Sequence, residues 1–359
     1  MMNKLINPNS VSVICEIASA HGGDSTLLKE MLNVADSVGA DWVKVQVYQY
    51  ESLVAEDNTN DNVDKNNENF STESESFEKK KFGVLKTIEL QPNEWIDVIH
   101  HAGNLRPKLI AEVFDLPSLQ LIADEKAIKA FKISTSDLGD RDLIDAICEL
   151  GKPIFVGVGG ATILEIDEIT KQIAAFANME LVLLHGIQSF PTELKDSLLS
   201  KIRSLKLRYG CEVGFADHID AEDTELARTL PAMAMAAGAT FIEKHITLDR
   251  SKKGFDYYSA LNPTEFSDFI TFVKNVNDAI GTDDSLELTD AEIIYRKKIK
   301  KFAVLNHTVA KGSSVKNAIV KYKRTSSLGM TRQEFEKFRN KVFVSNYKKN
   351  TVLTSSCFY

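Results

Sequence analysis

Apolar residues in this chain gather in short runs of strand length, and the runs alternate with longer stretches that carry a helical period. The runs fall at Val11–Ile17, Trp42–Val47, Leu109–Phe114, Ala130–Ile133, Pro153–Gly157, Leu181–His185, Glu212–Ala216 and Phe241–His245. Helical spacing predicts helices over Leu27–Val38, Pro92–Ala102, Leu116–Ile128, Asp140–Leu150, Ile163–Ala175, Leu194–Arg208, Glu222–Ala237 and Pro263–Ile280. Each strand is therefore followed by one helix.

Strict alternation of this kind requires parallel strands with right-handed crossovers, because each helix must return the chain to the same end of the sheet. Eight units close a (β/α)8 TIM barrel, an α/β fold of about 250 residues; an open sheet of six or seven units is the alternative. Boundary residues agree with the element count. Asp24, Ser25 and Thr26 can cap the first helix, Pro92 suits a first helical turn, and Gly39 and Gly151 can end helices through positive φ.

Residues 56–81 break the pattern, being rich in Asn, Glu and Ser with few apolar side chains; they predict a low-complexity loop after the second strand, a lid over the barrel mouth or plain surface. After Ile280 the period changes. Residues 282–298 read as a polar linker leading into a helical turn, and residues 299–359 as a small, mostly β module too short to be generously stable alone. The barrel domain is placed at residues 1–281.

Composition narrows the class. An apolar content of 43% is globular, and no window approaches the roughly 20 apolar residues of a membrane span. The opening MMNKLINPNSVSVICEI shows no charged segment followed by an apolar one, so no secretion signal is expected and the cytoplasm is the default location. Cys15, Cys148, Cys211 and Cys357 are scattered without CxxC spacing, and three of them lie in apolar runs that read as core, which fits buried thiols in a reducing compartment. A net charge of -8 argues against a nucleic-acid surface.

Candidate chemistry sits at strand ends, where a barrel keeps its active site. His218 in GFADHID and His245 in FIEKHITLDR each close an apolar run, and strand alternation puts Glu243 on the same face as His245. Two neutral imidazoles from neighbouring strands plus a carboxylate would make a divalent metal site; alternatively each His only hydrogen-bonds in a turn. Glu16, Lys44, Gln46, Lys132, Ser134 and Thr135 share that end. Inward lysines are costly unless an anion neutralises them, which points to a phosphate or carboxylate ligand, or else to salt bridges with Glu16, Glu112 or Glu243. The glycine turn 157–160 offers backbone N–H groups to an anion, or serves tight geometry.

The segments EIASAHGG, ADWVKVQVY, FKISTSD, GKPIFVGVGG, LLHGIQSFPT, GFADHID and FIEKHITLDRSKKGFDYYSALNP resemble, in order and spacing, the sialic acid synthase family. The tail from Phe302 is similar to the antifreeze-like (SAF) module that follows the barrel in those enzymes. The resemblance implies condensation of phosphoenolpyruvate with N-acetylmannosamine or a related 2-acetamido sugar, giving a nine-carbon keto acid and phosphate. It implies that His218 and His245 hold Mn2+ or Mg2+, that Glu16 is the catalytic carboxylate, and that Lys44 and Lys132 hold phosphoenolpyruvate. Gln46, Glu243 and Asp256 would complete the site, with Thr135, Gln188 and Phe190 at substrate-binding positions. Arg324 falls where the family's tail arginine grips the sugar N-acetyl group across a dimer interface, which implies a homodimer.

The likeness has gaps. Glu112 stands where the family has threonine, Gly157 and Ala216 where it has serines, Gln188 for asparagine and Phe190 for tyrosine. These losses keep two other readings open: a divergent metal-dependent lyase or transferase acting on another anion, and a non-catalytic sugar-binding homologue. A glycosidase fits less well, since lysines among the carboxylates suit anions better than neutral glycans.

Overall fold

The structure is a computed structural model and describes residues 10–55, 83–189, 191–281 and 286–359. The proposed loop at 56–81 and the side chain of Phe190 lie outside the described residues. Two compact units divide the chain, residues 1–282 and 283–359, and each is described by itself.

The first unit is a closed parallel barrel. Its strands are β1 (Ser12–Glu16), β2 (Trp42–Val47), β3 (Lys108–Val113), β4 (Ile128–Ile133), β5 (Ile154–Gly157), β6 (Leu181–His185), β7 (Glu212–Asp217) and β8 (Phe241–Ile246). They pair in chain order, and β8 returns to β1 through Ser12 opposite Phe241 and Glu16 opposite His245. The expected barrel is the fold observed. A short strand β9 (Ala260–Leu261), absent from the periodicity, adds to the C-terminal half of β8.

The major barrel helices are α1 (Ser25–Val38), α2 (Pro92–Ala102), α3 (Leu116–Ile122), α4 (Arg141–Glu149), α5 (Ile163–Ala174), α6 (Ser200–Tyr209), α7 (Leu226–Ala236) and α8 (Pro263–Ile280). Asp24 caps α1 by accepting from the Thr26 and Leu27 N–H groups, and Gly39 ends it at φ 84°. Thr162 and Glu165 cap α5 reciprocally. Several expected helices are shorter, two of them for identifiable reasons. Leu194–Asp196 is a separate 3-10 turn ahead of α6, and Ile128 belongs to β4, paired with Leu109 at a register shift, where its side chain is buried in the sheet.

Outward-facing strand residues such as Val13, Val43, Val45 and Ile242 pack with the helices into the main core. A second cluster fills the barrel itself: Ile14, Trp42, Ile110, Ala130, Phe155, Val182, Leu184 and Phe241. Its aromatic rings meet edge to face, Phe155 with Phe241 at 5.1 Å and Trp42 with Phe155 at 5.7 Å. This plug closes the N-terminal half of the barrel and leaves the C-terminal half for polar groups.

The second unit holds a helix, α9 (Asp290–Ile299), and a two-stranded antiparallel sheet, β10 (Phe302–Leu305) with β11 (Val320–Lys323). It has a core of its own, including Leu305, Val315, Phe335, Phe343 and Leu353. Regular strand is sparser here than the sequence pattern suggests, because the remaining pairing is made by isolated bridges such as Val309 with Tyr347.

Candidate active site

Alternation along the strands builds the site. Two residues beyond the apolar plug, the same inward face carries Glu16 on β1, Lys44 on β2, Glu112 on β3, Lys132 on β4 and Glu243 on β8, all buried. Lys44 pairs with Glu16, with Glu112 at 2.6 Å and with Glu243 at 3.1 Å. Lys132 lies 3.0 Å from Glu243 and 3.4 Å from Glu112. Gln46 donates to the same Glu112 oxygen from 3.3 Å, and Glu16 accepts from the Ala18 N–H at 2.6 Å.

Of the two readings of the inward lysines, this network realises the salt bridges. Three carboxylates already face two ammonium groups, so the cluster carries one carboxylate in excess. Burial opposes ionisation of Glu112 and Glu243, yet Lys132 and Lys44 overcome it and hold both carboxyls below their ordinary values. Lys132 is pushed up because Glu112 and Glu243 outweigh its burial, whereas burial pulls Lys44 down.

The two histidines close the other side of the mouth. Their ring centroids are 5.2 Å apart, and Ser259 Oγ donates to the His218 carbonyl at 2.7 Å, fixing the turn after β7. Burial lowers His218 to about 4 and His245 well below its ordinary value, so both imidazoles are neutral near pH 7 and each can offer a lone pair. Glu243, the expected third member of a metal set, is turned toward the lysines instead. Among the described residues no group of three or more His, Cys, Asp or Glu is arranged to hold a metal. Two neutral imidazoles alone do not make an all-protein cage, so a divalent cation there would need water or substrate oxygens to complete it.

Lys132, Glu112, Thr135, Gly157, Gln188, Ala216 and His218 line a cavity with room for roughly one water. Gly157 leaves little space for a side chain, since a Cβ there would lie 3.1 Å from the Thr135 hydroxyl. The glycine turn has a packing reason as well. A Cβ on Gly159 would meet the Gly186 carbonyl oxygen at 1.7 Å, so two strand-end loops touch backbone to backbone there. Asp256 sits in a left-handed turn, φ 58°, with its Oδ2 3.4 Å from the Ser19 N–H. Arg324 follows β11 in the second unit.

Two groups escaped the sequence reading. Asp137, in the turn after β4, is pushed up to about 7, chiefly by burial with Glu112 adding repulsion. Asp217 and Lys244 form a fully buried ion pair at 2.7 Å on the outer face of the barrel. The signal for that pair was present: the dipeptides Asp217-His218 and Lys244-His245 end neighbouring strands, and Asp217 is in register with Lys244. When the histidines turn inward, their neighbours must turn outward together.

Residues 31–285 match the profile of the NeuB family. N,N'-diacetyllegionaminic acid synthase of Campylobacter jejuni is 25% identical over 95% of this chain and 98% of its own length. Pseudaminic acid synthase of the same organism is 28% identical over 88% of each chain. Among solved structures, N-acetylneuraminic acid synthetase from Leptospira borgpetersenii, in complex with citrate, aligns with a TM-score of 0.68 at 25% identity, covering 83% of this chain and 96% of that one.

Proposed function

Because this chain belongs to the NeuB family, we propose that it joins phosphoenolpyruvate to an N-acetylated amino sugar, N-acetylmannosamine or a related 2-acetamido hexose, releasing phosphate and a nine-carbon keto acid. One observation carries the reading: Glu16, Lys44, Lys132, Glu243, His218 and His245, spread over more than two hundred residues of sequence, converge at one end of the barrel. In the reaction, C3 of phosphoenolpyruvate bonds to the sugar's aldehyde carbon, water adds at C2, and phosphate leaves.

Lys132 and Lys44 attract and orient the anionic substrate. Glu16, fixed by the Ala18 N–H and by Lys44, orients the water and takes its proton. Gln46, Asp256, Gln188 and Phe190 hold the sugar, and Thr135 adds a hydroxyl beside the anion. His218 and His245 would hold a divalent cation, Mn2+ or Mg2+, which would supply Lewis acidity toward the aldehyde oxygen. Arg324 from the tail of a second copy reaches the sugar's N-acetyl group, which makes the working form a homodimer.

The test is phosphate release and product mass on mixing the protein with phosphoenolpyruvate, Mn2+ and a panel of 2-acetamido sugars. A product heavier than the sugar by the pyruvate unit supports the proposal, and no condensation with any sugar defeats it. The excess carboxylate favours a second reading, a lyase or transferase acting on a less highly charged anion at the same site. Turnover of such a substrate without phosphate release would select it.

A further inference from the structure

Glu112 is one of three carboxylates that face two ammonium groups in the buried cluster, and of those three it is the one that lines the cavity beside Lys132. One of its oxygens lies 2.6 Å from Lys44 and the other 3.4 Å from Lys132, and Gln46 donates to the first from 3.3 Å. It also lines the cavity that Lys132 and His218 open into, which has room for roughly one water. An anion approaching Lys132 therefore meets a carboxylate already bonded to both cations.

Resting on the condensation reading above, we infer that Glu112 is a built-in competitor for the lysine pair, a specificity-determining residue that weakens capture of the phosphate-bearing substrate. The substrate must either displace a buried carboxylate from its cations or enter beside it, and in both cases close like charges oppose binding. The consequence is a site tuned to high substrate concentration, or to anions with fewer negative charges.

Calorimetric titration of phosphoenolpyruvate, and separately of inorganic phosphate, into the wild-type protein, E112Q and E112T tests this. Glutamine keeps the shape and removes the charge; threonine removes both. Both variants should bind phosphoenolpyruvate at least roughly tenfold more tightly, the size expected for one charge-assisted contact, with the KM for the sugar unchanged. Unchanged or weaker binding in both variants would overturn the inference. Tightening in E112T alone would assign the effect to volume and overturn it equally. The condensation reading fails separately: if no sugar is condensed yet both variants gain affinity, the competitor stands and the reaction assignment falls.

Discussion

Two layers of the same barrel interior differ in almost everything except their backbone. The lower layer, Ile14, Trp42, Ile110, Ala130, Phe155, Val182, Leu184 and Phe241, is satisfied by packing alone. One inward position further along the same strands, the upper layer is Glu16, Lys44, Glu112, Lys132 and Glu243. Burying five ionisable groups is expensive, and well-packed apolar residues in their place would often be neutral or stabilising. Stability therefore does not explain the upper layer. Its position does, because it lies where the barrel opens and where a substrate can share its charges. The Asp217–Lys244 pair on the outer face sharpens the contrast, being matched one to one and open to nothing.

Breaking the mouth just above the upper layer should remove function and leave the fold. His218→Ala and His245→Ala are each expected to lower kcat/KM by about a thousandfold or more, since on the proposed reading each would remove a neutral donor to the cation. Their melting temperatures should stay within a few degrees of wild type. Steady-state kinetics with Mn2+, alongside metal binding by calorimetry, checks this. Near-normal turnover in the double variant would place the chemistry elsewhere.

Breaking the lower layer should do the reverse. Phe155 is fully buried between Trp42 and Phe241, so Phe155→Ala leaves a cavity and is expected to cost about 3–5 kcal/mol in urea unfolding. The fraction that remains folded should keep a kcat close to wild type. A large kcat loss with little destabilisation would mean the two layers are not separable.

The lower layer and the fold were legible in the sequence because both rest on period. Runs such as Trp42–Val47 show alternation directly, and Asp24 and Gly39 mark their helix ends with residues that have few other reasons to be there. The upper layer was only half legible. Alternation placed Lys44 and Lys132 inward, but whether their charge met a ligand or Glu16, Glu112 and Glu243 depends on distances between strands that no linear pattern contains. Ile128 misled for a similar reason: its apolar side chain suits a helix or a strand, and its pairing with Leu109 decided the matter.

The rim of the mouth offers a pH test between the layers. His21, after β1, is lowered to about 4 by burial, and its Nδ1 accepts from the Gly23 N–H at 3.1 Å. In the unfolded chain it titrates near 6.5, so below that value the unfolded state binds the extra proton and the folded state does not. The stability it contributes is intact above pH 6.5 and is lost as the pH falls toward 4, by up to about 3 kcal/mol. Urea midpoints measured from pH 7 to 4.5 should fall less steeply for His21→Asn, which keeps an acceptor and removes the titration. Identical slopes would show that the ring titrates alike in the folded and unfolded chain.

The smallest effect expected concerns the tail. Both lysines of the upper layer are already paired with carboxylates. Arg324, just past β11, is the proposed donor. Arg324→Ala should raise the KM for the sugar about tenfold, or about 1.4 kcal/mol, and leave the KM for phosphoenolpyruvate within about twofold. That split is the informative part, because on the proposed reading the phosphate-bearing substrate would meet the barrel's charges and the sugar the tail's. Equal rises in both constants would mean that the tail supports the barrel as a whole and does not reach the sugar.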